Sequence, residues 1–124
     1  MSRDEKELLL CNLHELLRYG IMCSCDGNDC PLSADYLKNV NGQIRVYFKE
    51  YSQHSYPIEV VKPYLRSMSS MTDDERKKFG GLSAHAINII CGTPIYYLLE
   101  RHLDFSNLIE KGLALEAPEG MYES

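Results

Sequence analysis

Asn41-Gly42 stands between two runs with the alternating character of strands, Asp35 to Val40 and Gln43 to Phe48. Asn-Gly suits a two-residue type I′ turn because both central residues of that turn need a positive φ. The turn sets a register in which Val40 opposes Gln43 and Leu37 opposes Val46. Ile44, Val46 and Phe48 then share a face with Leu37, while Lys38 and Arg45 share the other. Such an alternation describes an antiparallel sheet buried on one side. Tyr51 to Pro57 reads as a loop, and Ile58 to Val61 as one more short strand. Pro63 lacks the N–H that a ladder needs and is expected to close that strand.

Residues 62–79 separate a strand-like half from a helix-like half. Tyr64 and Leu65 place two large bodies just past the sheet, and Ser67 to Ser70 reads as a polar linker. Thr72 followed by Glu75 is a capping box, in which hydroxyl and carboxylate each take an orphan amide of a helix start. Asp73 and Asp74 favour the positive end of that helix, and Arg76, Lys77 and Lys78 its negative end. Gly80-Gly81 stops it. An exposed corner carrying Tyr64 and Arg66 is one candidate recognition surface.

Residues 3–19 read as an amphipathic helix, opened by a second capping box, Ser2 with Glu5, and ended by Gly20. Leu9, Leu10, Leu13, Leu16 and Leu17 fall in one stripe. Leu8 and Cys11 lie off it, three residues apart and adjacent on a second face, which offers a patch for self-association. After Gly81, Leu82 to Cys91 reads as helix or strand, with helix favoured. Thr93-Pro94 is a good helix start, with a stripe of Ile95, Leu98, Leu99, His102 and Leu103. Leu108 to Ala117 reads as a last helical or turn segment containing Gly112. Residues 118–124 read as a mobile tail.

A chain of 124 residues is long enough for one domain with a real core. Its 13 basic and 18 acidic residues give a net charge of −5, and both halves are acidic. That balance argues against nucleic acid, which is bound through a basic footprint, and against anionic lipid. No apolar stretch has the length of a membrane span, the first residues are charged and unlike a signal peptide, and five cysteines cannot form a closed disulfide set. A cytoplasmic protein with reduced thiols is expected.

Two clusters carry candidate chemistry. Cys23, Cys25 and Cys30, with His14 and Cys11 upstream, hold the donor types of tetrahedral zinc. Their spacing is poor for it, because Cys23 and Cys25 in a strand stand roughly 6.5 Å apart. Small apolar fillers plus a loop thiol is the favoured reading. His102 and Asp104 could serve a small enzyme or ligand site. A histidine on an apolar face is more often satisfied by a carbonyl, and no partner completes a catalytic set. No catalytic residue, cofactor or metal is assigned.

Residues 62–72 (Lys62 to Thr72) and 108–122 (Leu108 to Tyr122) resemble segments of small uncharacterised proteins from gut anaerobes, often of phage or mobile-element type. Arg101-His102-Leu103-Asp104-Phe105 is similar to the stretch that precedes the second segment in them. The resemblance covers about a third of the chain and implies no activity. The expectation is a single α+β domain over residues 1–124: an N-terminal helix, a small curved antiparallel sheet of three to four short strands, then C-terminal helices. Its expected role is that of a non-enzymatic cytoplasmic binding or regulatory module, acting on another protein or on a second copy of itself.

Overall fold

The computed structural model describes residues 2–25, 31–50, 55–78 and 93–122. Cys30, the Asp26-Gly27 turn, Gly80-Gly81 and the Leu82–Cys91 segment lie outside them. The fold is α+β. Helix α1 spans Arg3–Leu16 and is continued by a 3-10 turn, Leu17–Tyr19. Its start carries the expected capping box: the Glu5 amide donates to Ser2 Oγ, and the Ser2 amide donates to Glu5 Oε1 at 3.0 Å. Leu9, Leu13 and Leu16 are buried, and Leu10 and Leu17 are half-buried against the same core. Burying one such leucine is worth about 2 kcal/mol, so the stripe rather than helix propensity holds α1 in place.

The sheet has six strands: β1 (Met22–Cys25), β2 (Leu32–Val40), β3 (Gln43–Phe48), β4 (Ser55–Pro57), β5 (Val61–Leu65) and β6 (Leu115–Glu116). They lie in the order β4-β3-β2-β1-β5-β6. The sequence led to three or four strands, all antiparallel, but β6 runs parallel to β5. The two additional strands are only three and two residues long, too short for a period of two to declare itself.

The hairpin forms in the register the turn implies. Val40 faces Gln43, Leu37 faces Val46, and Asn41 and Gly42 take φ of 53° and 85°. The Gly42 amide also donates to Asn39 Oδ1 at 2.9 Å. A bulge between Ala34 and Tyr36 inserts Asp35, which is exposed, and keeps Ala34 on the buried face. Val46 and Phe48 point into the core, with Phe48 edge-on to Tyr56.

Pro63 does not end its strand. It is buried inside β5 opposite Cys23. The Leu65 carbonyl accepts from the Ala117 amide, which places the polar groups of residues 65 and 63 on the β6 side of β5. Pairing with β6 begins only at Tyr64, so no donor is demanded of Pro63. The proline therefore costs the β1–β5 ladder no hydrogen bond.

The C-terminal part is mostly turns. Thr72 and Glu75 form their capping box, with distances of 2.9 and 3.2 Å, at the start of α2, which covers residues 73–78. Helix α3 spans Thr93–Glu100 and ends before His102. The Leu103 amide donates to the Leu98 carbonyl and the His102 amide to Leu99, with His102 at φ 59°. This is a Schellman motif with histidine where glycine is usual. Residues 108–112, expected as helix or turn, form a turn ended by Gly112 at φ 76°.

Beyond the Cys23–Pro63 rung, the next pair in register would be Met22 with Tyr64. Tyr122 takes its place. Its hydroxyl accepts from the Met22 amide at 3.0 Å and lies 2.7 Å from the Tyr64 carbonyl, to which it donates. One step further, Arg66 exchanges backbone bonds with His102 and Asp104. The segment expected as a tail thus carries a side chain that joins β1 to β5. Tyr122→Phe is expected to lower unfolding free energy by about 1–3 kcal/mol, the cost of half-buried peptide groups left without a partner. Urea denaturation with unchanged slope would report it.

Candidate interaction surface

Arg66 lies past the end of β5 and Glu75 in the first turn of α2. The two side chains meet in a bidentate pair, Nη2 to Oε1 at 2.6 Å and Nη1 to Oε2 at 2.8 Å. Hydrogen bonds from Arg66, then the Thr72 amide, hold the Glu75 carboxyl down at about 2, against burial that would raise it. Arg66 also donates to the Arg101 and Ser70 carbonyls. Tyr64 is half-buried, and its carbonyl is engaged by Tyr122. The corner is therefore a tether for α2, with its cation already committed. Beside it opens a cleft of about 890 Å³, bordered by Arg66, Tyr97, Arg101 and Glu119. The Tyr97 hydroxyl is buried and has no hydrogen-bond partner among the described residues, and the Arg101 guanidinium lies over its ring at 5.4 Å.

His102 and Asp104 do not act on one another. His102 Nε2 donates to the Gly20 carbonyl at 2.6 Å, and its ring stacks on Tyr122 with centroids 3.8 Å apart. Burial lowers its pKa, outweighing the Gly20 contact. The Asp104 carboxylate accepts from the Leu108 and Ile109 amides at 2.8 and 2.9 Å and so caps the turn that follows. Both groups thus make their hydrogen bonds to backbone. Cys23 and Cys25 face the core from β1, and both are buried. Burial pushes the Cys25 thiol up to about 11 and raises that of Cys23 as well. Among the described residues no three metal-ligating side chains converge.

Leu8 is half-buried against the core, whereas Cys11 is exposed. Cys11 lines a shallow groove of about 470 Å³ with Leu10, Glu15, Leu37, Lys38 and Ile44, between α1 and the turn end of the hairpin.

The outer face of the hairpin is arranged differently. The ladder places Tyr36 opposite Tyr47 and Lys38 opposite Arg45, on the side away from Leu37 and Val46. The two tyrosine rings stack at 4.6 Å with 4° between their planes, and Tyr36 is 44% exposed. Arg45 is fixed by Ser55, through Nε to Oγ at 2.7 Å and Nη2 to the carbonyl at 2.9 Å, and by Gln43 through Nη1 at 2.7 Å. Among the described residues neither Lys38 nor Arg45 has a carboxylate partner. The sequence put Lys38 and Arg45 on this face. The tyrosine pair was present in the same register, one rung beyond Leu37 and Val46, and carried no separate signal.

No family model matches the chain, and no curated protein or solved structure matches it significantly.

Acid stability should show two limbs. The Glu75 pair contributes fully above the unfolded carboxyl value near 4.5 and is lost as pH falls through about 2. His102, depressed below 6.5, contributes fully above that value and is lost as pH falls through its folded-state pKa. Stability curves of Glu75→Gln and His102→Gln against pH are expected to lose the lower and the upper limb respectively. Superimposable limbs in either variant would contradict that assignment.

Proposed function

We propose that the protein is a non-enzymatic binding module that uses the outer face of the β2–β3 hairpin to hold a protein partner. The stacked Tyr36–Tyr47 pair carries this reading. It sets two amphipathic rings on a rigid sheet at little cost in side-chain entropy, a property of contact residues in protein interfaces. Lys38 and Arg45 flank the rings with no charge partner among the described residues. His102 and Asp104 are bonded to backbone and Arg66 and Glu75 to one another, which favours binding over turnover. A cytoplasmic setting fits the free thiols of Cys11, Cys23 and Cys25 and the absence of a described helix able to cross a membrane. A phage or mobile-element origin is part of the same proposal and rests on residues 62–72 and 108–122.

Comparative capture tests the reading. Tagged protein and the Tyr36→Ser/Tyr47→Ser variant would be incubated with lysate of the native host and bound proteins quantified. The wild type is expected to retain a stoichiometric partner, reduced at least tenfold for the variant while its thermal midpoint stays within a few degrees. Equal retention by both proteins would contradict the hairpin as the binding face.

A further inference from the structure

Lys38 and Arg45 occupy the same rung of the β2–β3 ladder. Like charges directly opposite one another repel and weaken a sheet. The chain as a whole is acidic, with net charge −5, so carboxylates are abundant, yet among the described residues none forms an ion pair with Lys38 or Arg45, and Glu15 of α1, which borders the same groove as Lys38, is not paired with it. Asp35 in the bulge and Glu50 beyond β3 are the nearest acids in sequence on these strands, and the Glu50 carboxylate is taken by the Ser33 amide at 2.9 Å. Arg45 is held from one side by Ser55 and from another by Gln43. Those contacts use three of its five N–H groups and leave two donors in a fixed plane. Lys38 is exposed.

The tyrosine rung lies two residues along the strands from the cationic rung, which is roughly 7 Å. An extended peptide repeats its side chains on one face at the same spacing, residue i to residue i+2. We infer that this face binds an extended acidic segment of a partner protein, with a carboxylate over Lys38 and Arg45 and an aromatic or apolar side chain two residues away against Tyr36 and Tyr47. The inference deepens the proposed function and rests on it. A bound carboxylate neutralises the repulsion built into the rung and takes the donors left on Arg45. Single-stranded nucleic acid would also offer an anion and a flat ring, but a polyanion meets unfavourable charge from the remainder of this protein.

The test uses the full chain and three fluorescent probes: an alternating Glu-Tyr peptide, its Gln-Tyr counterpart and an oligothymidylate of similar length. Anisotropy titrations at 50 and 300 mM salt give the affinities. The Glu-Tyr peptide is expected to bind at least tenfold more tightly than the Gln-Tyr peptide, and more weakly at the higher salt. Lys38→Glu is expected to reduce that affinity at least tenfold while leaving the thermal midpoint equal to or above that of wild type, because the rung then pairs opposite charges. Should Lys38→Glu lower the thermal midpoint, Lys38→Gln decides in its place: a several-fold loss of affinity at wild-type stability supports the proposal, and unchanged affinity overturns it. Equal affinity for both peptides, with either weakened by Tyr36→Ser, would overturn the acidic partner and leave the hairpin face standing. Peptide binding indifferent to both Lys38→Glu and Tyr36→Ser would overturn both. Tighter binding of the oligothymidylate, or self-association at high concentration that Lys38→Glu abolishes, would assign the face to another occupant and overturn the proposal.

Discussion

Past the rung of Cys23 and Pro63 the strands β1 and β5 stop pairing, and the Tyr122 hydroxyl takes up the groups of Met22 and Tyr64 that would have formed the next rung. Peptide groups in the half-buried interior of a sheet cannot be left alone cheaply, because each costs about 1–3 kcal/mol when its water is removed and nothing replaces it. A phenol can accept one bond and donate another, so a single side chain closes the gap. The His102 ring then stacks on that phenol and anchors itself on the Gly20 carbonyl. Met22 is also the residue through which β1 meets Ser33 of β2. The C-terminal segment thereby fixes β1, and β1 fixes the strand that carries Tyr36 and Lys38.

Several polar groups that look chemical in isolation serve this arrangement. Arg66 and Glu75 fasten α2 to the end of β5, and Asp104 gathers the amides of the turn beyond it. Each of these contacts ties a charged group into the fold, while the outer hairpin face carries cations that are unmatched among the described residues. An acidic chain thus bears, on the outer face of β2 and β3, two cations beside two stacked tyrosines.

Local rules carried far in this chain. Both capping boxes and the Asn41-Gly42 turn depend on contacts within a few residues, and each formed as the spacing implies. The leucine stripe of α1 depends on periodicity alone and was equally legible. Pro63 misled because its effect depends on which side of the strand its missing donor faces, and that is set by β6, some fifty residues later. The end of α3 was less legible, because the helix stops before His102 in a motif that ordinarily uses glycine, whereas the carbonyl contact of His102 is the one its place on an apolar face implies. The role of Tyr122 could not be read at all. It arises from a gap between two strands that only the folded chain creates. The tyrosine stack was available from the hairpin register, but nothing in a pair of tyrosines separates a contact surface from ordinary sheet decoration.

Native-state hydrogen exchange on the chain shortened to end at Glu119 addresses the role of Tyr122 most directly. Loss of that side chain is expected to accelerate exchange of the Met22 amide at least a hundredfold, with the Arg45 and Val46 amides of the hairpin much less affected. Unchanged protection at Met22 would mean that β1 and β5 hold together without the tyrosine, and the account of the C-terminal segment as part of the sheet would fail.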